Sequence, residues 1–199
     1  VSSLHRRDGT WWIRAGASEI RSEVVVDAAG AWGDRVAVLA GCRPLDLAVL
    51  RRTAILVDAG EGVRTWPMVK VLGDVLYWKP DGGRLMVSPM DEVPDAPGDA
   101  RADPLGVALA MDRLARHSTL RPTSVAHRWA GHRCFAPDRC PVAGFDPDLP
   151  SFFWLVGQGG AGGLEEHEPR AALLVDRLRV ASTTVSASPP TRRTSGSVP

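Results

Sequence analysis

The strongest chemical signal in the sequence is a glycine run, Gly157-Gln158-Gly159-Gly160-Ala161-Gly162-Gly163, directly after the apolar stretch Phe152 to Val156. Gly157, Gly159 and Gly162 satisfy G-x-G-x-x-G, the spacing that lets backbone approach a pyrophosphate at a helix start. An independent dinucleotide site also needs a second parallel strand ending in an acidic residue about twenty positions on. Asp176 falls instead within a helical pattern that begins at Pro169. The run is therefore either a set of close-approaching N–H groups that favours an electron-rich ligand or a plain flexible loop. His127, His132, Cys134 and Cys140 are metal-ligand types, but their spacing fits no common zinc pattern, and His127 and His132 fall on opposite faces of a strand. No metal site is expected; buried thiols and surface imidazoles are the ordinary reading. G-x-S-x-G, H-E-x-x-H and P-loop motifs do not occur, which removes the easily recognised hydrolases and phosphoryl-transfer enzymes.

The elements that must position these residues follow from periodicity and punctuation. Trp11 to Arg14 and a return through Ile20 predict a strand meander, and Val24 to Val26 a strand buried on both faces, stopped by Asp27-Ala28-Ala29-Gly30. Asp34 is expected to cap a short helix closed by Gly41. From Pro44 to Val93, short β-like pieces at Ala54–Val57, Val69–Leu72, Val75–Trp78 and Arg84–Ser88 predict an antiparallel sheet, with Asp81-Gly82-Gly83 as a hairpin turn. Asp103-Pro104 predicts a helix start, with Leu105, Leu109, Met111 and Leu114 as its apolar stripe. Strand character resumes over Arg121–Arg133, Asp138–Gly144 reads as a loop, Phe152–Val156 as a strand, and Ser182–Pro199 as a disordered tail.

Composition bounds the answer. The 199 residues are 44% apolar and 24% charged, which places the chain with globular proteins of one domain or two small ones. The 24 basic and 23 acidic side chains are interspersed, leaving no footprint for a phosphate backbone, so nucleic acid is not an expected partner. No stretch reaches the eighteen or so apolar residues of a membrane span, so no membrane is expected. Three cysteines without a disulfide framework suggest a reducing, cytoplasmic setting.

Three segments, in order and spacing, resemble the FAD-dependent oxidoreductases of the D-amino acid oxidase superfamily, near the glycine and sarcosine oxidase branch. They are Val24-Val25-Val26-Asp27-Ala28-Ala29-Gly30-Ala31-Trp32, then Arg128-Trp129-Ala130-Gly131-His132-Arg133 with Asp138 to Gly144, then Phe153 to Gly162. Tyr77 to Gly83 and Pro89-Met90-Asp91-Glu92 resemble the sheet of that family's substrate domain. The resemblance implies an α/β (α+β) fold: the C-terminal part of a Rossmann-like FAD-binding domain plus an antiparallel substrate domain. The divisions it suggests are 1–45 as the end of the FAD domain, 46–127 as the substrate domain, 128–181 as a return to the FAD domain, and 182–199 as the tail.

By the same resemblance FAD is the cofactor, with Ala29, Gly30, Trp32, Gly131, Gly157, Gln158, Gly159, Gly160, Ala161 and Gly162 on its side. Arg133 and Tyr77 fall on the substrate side. A guanidinium suits a carboxylate because its fork binds both oxygens; a surface arginine paired with Asp138 is the competing reading. The implied activity is oxidation of a C–N bond of a small amino acid or N-methyl amine by hydride transfer to flavin. The competing expectation is a non-catalytic remnant that does not bind FAD by itself, since the family's first strand, phosphate-binding turn and ribose carboxylate would lie upstream of Val1. After Gly163 the sequence departs from the family's pattern, with Leu164-Glu165-Glu166-His167-Glu168 at the expected helix start.

Overall fold

A computed structural model describes residues 1–159 of the chain. The first three strands are β1 (Ser3–Arg7), β2 (Thr10–Ala15) and β3 (Ser18–Ser22), an antiparallel meander in that order. Strand β4 (Val25–Asp27) leads through a 3-10 turn at Gly30–Trp32 into helix α1 (Gly33–Ala40). Gly41 ends that helix in the left-handed region, φ 78°, as its position predicts. Asp34 does not cap it: the residue before the helix is Trp32, with no side-chain cap, and the Asp34 carboxylate accepts hydrogen bonds from the N–H groups of Leu45 (2.9 Å) and Leu47 (2.8 Å). An acceptor inside the first turn is free to tie down the exit loop instead.

The large sheet begins with β5 (Ala48–Val57) and continues through β6 (Val69–Lys70), β7 (Tyr77–Asp81), β8 (Arg84–Ser88) and the short β9 (Val93–Pro94). After helix α2 (Pro104–His117), strand β10 (Val125–Phe135) returns to the far side of β5. The order is β10-β5-β8-β7-β6, all neighbours antiparallel, with β9 on β5 beyond the end of β8. The β7–β8 turn is Gly82-Gly83, both at positive φ (58° and 84°), the geometry a two-residue hairpin requires. The division suggested at residue 128 falls within β10.

One face of this sheet packs on α2. Ile55, Val57, Trp78, Leu85 and Val87 meet Ala110 and Leu114 in a closed core. Asp103 caps the helix through Gly106 N–H (2.8 Å), with Pro104 in its first turn, as the dipeptide predicts. Its buried stripe is Gly106, Ala110 and Leu114, whereas Leu105 is 78% exposed, one position off the expected face.

The remaining strands are β11 (Val142–Phe145), in the stretch read as a loop, and β12 (Phe152–Val156). β12 pairs antiparallel with β11 and parallel with β4. Asp146 makes the turn between them: one carboxylate oxygen accepts from the N–H groups of Asp148 and Leu149 and the other from Trp154 Nε1 at 3.0 Å. A second core joins this small sheet to the meander and α1 through Trp11, Phe152, Trp154, Val156 and Ala37. Trp11 is fully buried and its Nε1 donates to Ser151 O and Oγ, each at 3.1 Å, so the indole brings both apolar area and a satisfied donor.

Candidate functional site

Alternation along β5 and β10 decides which side chains share a face. Thr53, Ile55 and Val57 turn toward α2, which places Arg52 on the opposite face; its pairing partner is Gly131, and Arg133 lies two residues further along β10. That opposite face floors a cavity of about 730 Å³. Arg52, Tyr77, Lys79, Met86, Met90, Glu92, Arg133 and Arg139 line it, with Met68, Lys70, Asp74 and Phe135. The chain's single tyrosine, both its lysines and three of its four methionines therefore meet in one place.

The wall carries five cations against two carboxylates. Lys70 pairs with Asp74 at 2.6 Å, which holds the Asp74 carboxyl below the usual range. Glu92 Oε1 receives both Arg52 Nη2 and Arg139 Nη2, each at 2.8 Å. Arg133 and Lys79 have no carboxylate partner among the described residues, and Arg133 Nε is buried with no hydrogen bond there. Asp138 is not its partner: one Asp138 oxygen caps the N–H of Cys140 at 2.9 Å. Both Arg133 and Tyr77 thus stand on the same cavity wall.

The loop after β8 is held firmly. Asp91 accepts from the N–H and hydroxyl of Thr53, each at 2.7 Å, and Ser88 Oγ donates to Thr53 O at 2.8 Å. Met90 is forced to φ 53°, a left-handed backbone uncommon for a non-glycine residue. Arg113 braces the same loop from α2 by donating to Pro89 O and to Val75 O.

The glycine turns converge beside this cavity. β4 and β12 are parallel, and both carboxyl ends run into glycine: Gly30 at φ 56° after β4, Gly157 at φ 75° and Gly159 at φ 60° after β12. Ala29 and Gly30 lead into the 3-10 turn that packs on β10, and Trp32 ends it 40% exposed. Gly159 N–H donates to Cys134 O at 2.9 Å, and a side chain at Gly159 would collide with the Phe135 ring. Gly131 has open space where a Cβ would stand, and Gln158 is exposed. Ala29, Gly30, Trp32, Gly157, Gln158 and Gly159 therefore follow the two parallel strand ends, with Gly159 at the end of β10, whereas Gly131 lies in the middle of β10 opposite Arg52. Gly160, Ala161 and Gly162, the helix from Pro169, the tail and the departure after Gly163 lie outside the described residues.

The histidines and thiols are scattered by the fold. His132 Nε2 lies 3.1 Å from Asp95 on the α2 side of the sheet, while His127 stacks on Trp129. That hydrogen bond draws the Asp95 carboxyl below its ordinary range. Cys134 is buried and Cys140 exposed. Burial, with the charges of Asp146, Asp27 and Asp148 behind it, pushes the Cys42 thiol up to about 11.

Sequence reading missed Arg52, Lys70, Lys79, Glu92 and Arg139 as members of the site. Alternation alone would have put Arg52 on the face of Arg133, but only once the β5–β10 register was known. Arg139 reaches the cavity from a loop, its guanidinium 4.0 Å from the Phe135 ring, and no periodicity announces that.

Parallel strands whose carboxyl ends carry glycine turns, beside an antiparallel sheet with a basic cavity, are an arrangement suited to binding a ligand at the strand ends. The open space at Gly131 and the positive-φ backbone of Gly30, Gly157 and Gly159 leave room for the close approach of a planar group. Comparison with known proteins agrees. Residues 1–164 match the family model described as FAD dependent oxidoreductase (DAO), and the chain belongs to that family. It is 26% identical over 154 residues to mitochondrial sarcosine dehydrogenase of Mus musculus, covering 72% of this chain and 16% of that protein. Among solved structures, glycine oxidase from Geobacillus kaustophilus superposes with TM-score 0.69 at 22% identity, over 91% of this chain and 48% of that one. Iminodiacetate oxidase from Chelativorans sp. BNC1 gives 0.71 at 21%, over 92% and 50%. L-α-glycerophosphate oxidase from Mycoplasma pneumoniae, with FAD bound, gives 0.69 at 19%, over 96% and 52%. The chain spans about half the length of these structural relatives and a sixth of the dehydrogenase. The mixed fold with antiparallel sheets is that of FAD-dependent oxidoreductases. Among the described residues no helix is long and apolar enough to cross a membrane.

Proposed function

We propose that the protein takes part in oxidising a C–N bond of a small amino acid or N-methyl amine, with Arg133 receiving the substrate carboxylate. The carrying observation is the Arg133 guanidinium, whose buried Nε lacks a partner among the described residues while it lines the cavity beside the glycine turns. The names of the relatives, sarcosine dehydrogenase and glycine oxidase, point the same way. Ala29, Gly30, Trp32, Gly131 and Gly157 to Gly159 are the described residues that would hold FAD, which supplies the hydride acceptor when bound. Gly160 to Gly162 would extend that set. On this reading residues 1–45 and the β12 end form the cofactor side and 46–127 the substrate side, with β10 running from one to the other.

The remaining chemistry belongs to the cavity wall. Its excess of positive charge works against a protonated amine and favours the free base, whose nitrogen lone pair forms the C=N bond as hydride leaves the adjacent carbon. Tyr77 offers a hydroxyl from the middle of the floor, and the three methionines give an apolar, adaptable lining. The test is calorimetric titration of the protein with sarcosine and with dimethylamine, which lacks the carboxylate. Sarcosine is expected to bind in an Arg133-dependent way and dimethylamine not to depend on Arg133. Equal dependence of both would move Arg133 from substrate binding to structure.

A further inference from the structure

Glu92 does something unusual for a residue on the wall of a site that receives carboxylates. A single oxygen, Oε1, accepts from two guanidinium groups, Arg52 on β5 and Arg139 in the turn after β10. Arg52 stands opposite Gly131, on the same face as Arg133 and one side-chain position along the neighbouring strand. Arg139 is steadied over the Phe135 ring. The glutamate is not a stray surface side chain either: its neighbours Asp91 and Met90 are fixed by the Thr53 hydrogen bonds and by a left-handed backbone. Arg52 is only 11% exposed in its side chain, so the pair is partly withdrawn from water, where charge pairing counts for more.

Two guanidinium groups converging on one carboxylate, next to a third guanidinium without one among the described residues, make two adjacent carboxylate sites. One is filled by the protein itself. We propose that Glu92 is a specificity-determining residue: its carboxylate occupies the place a second substrate carboxylate would take between Arg52 and Arg139, so the cavity accepts substrates with one carboxylate, at Arg133. This rests on the reading of Arg133 given above and adds the substrate class, amino acids with a single acidic group.

The test compares sarcosine, with one carboxylate, and iminodiacetate, with two on one nitrogen, by calorimetry on the wild-type protein and on Glu92→Ala and Glu92→Gln. Vacating the site should raise iminodiacetate affinity on the order of tenfold, as one charge-assisted hydrogen-bonded pair is made available. Sarcosine should change by less than about threefold. Glu92→Gln should shift the ratio in the same direction by less, and adding Arg139→Met to Glu92→Ala should cancel the gain. The gain should also shrink with added salt. A merely structural role predicts parallel losses for both ligands, and that result overturns the proposal. If Arg133→Ala abolishes sarcosine binding while Glu92→Ala leaves the ligand ratio unchanged, Arg133 stands and Glu92 falls. If Arg133→Ala affects neither ligand, the carboxylate reading fails and takes this inference with it.

Discussion

Asp27 ends β4 with a carboxylate that is 1% exposed; Oδ1 accepts from Ala29 N–H at 3.0 Å, and Oδ2 has no partner among the described residues. Burial pushes this group up to about 6, against the lowering by the Ala29 hydrogen bond and with a further rise from the Asp34 charge. The folded protein therefore holds this proton at pH values where the unfolded chain, near 3.8, has lost it. Its contribution to stability is most favourable below about pH 4 and declines as pH rises to about 6, after which the penalty is constant. Asp27→Asn keeps an acceptor for Ala29 and removes the charge, so it should stabilise the fold by about 1 to 3 kcal/mol at pH 8 and by nearly nothing at pH 4. Thermal melts at the two pH values check this; an equal effect at both would mean that the charge is not the cause. Arg133, like Arg51, also has a buried Nε without a partner among the described residues, but Arg51 is paired with Asp103 and Arg133 with no carboxylate there. Arg133→Ala should weaken sarcosine binding by about 2 kcal/mol, and Arg133→Lys should recover only part, since an ammonium lacks the fork. Full recovery with lysine would show that charge, not bidentate geometry, is what the site uses.

The central element is the β5–β10 pair, nine consecutive pairs from His127 to Phe135 after a register shift at Ala126, with α2 on one face of β5 and the cavity on the other. Gly106 lets α2 lie that close. A Cβ there would overlap the Thr53 hydroxyl and come within 3.1 Å of Thr53 Cβ and 3.3 Å of the Asp91 carboxylate. In an exposed helix Gly→Ala gains about 1 kcal/mol, but here Gly106→Ala should cost about 2 kcal/mol or more, because the helix must lift from β5. Since Thr53 and Asp91 also hold the loop with Met90 and Glu92, the same substitution should weaken ligand binding at the cavity. A higher melting temperature for Gly106→Ala would contradict the packing described. The helix cap, the Gly82-Gly83 turn and the strand Phe152–Val156 were legible because each depends on residues adjacent in sequence. Leu105, by contrast, was placed on the wrong face: the helix is oriented by the glycine that allows close approach rather than by its largest side chain.

At the scale of the whole molecule, β10 links the two parts: it is an edge strand of the α2-backed sheet, and its end touches the glycine turns, where Cys134 O accepts from Gly159 N–H. The described residues contribute two parallel strand ends toward a dinucleotide, and the acidic residue at one of them, Asp27, is buried and accepts from Ala29 N–H instead of presenting its carboxylate to a ribose. We therefore expect the 199-residue chain by itself to elute from gel filtration without flavin colour after incubation with FAD. Stoichiometric flavin absorbance travelling with the protein would contradict this and favour a self-sufficient cofactor site.

Local order along the chain was enough to determine the meander and the hairpin turn, since turn chemistry and apolar periodicity act over a few residues. The valine strand forms as Val25–Asp27 with Val25 buried and Val26 half-buried, because it is an edge strand with β12 as its neighbour among the described residues and is not covered on both faces. That Arg133, Tyr77 and the glycines belong to one kind of site was implied by the resemblance of three segments to a known family and not by local order. Only the tertiary structure decided that Arg133 and Tyr77, 56 positions apart, face a single cavity. The same holds for Glu92, which spans from Arg52 to Arg139 across 40 and 47 positions. Such pairings depend on strand register and on the path of loops between strands. Register is set by which face finds a partner to bury against, and here that partner is α2, which packs on β5 and β8 and is encoded after both.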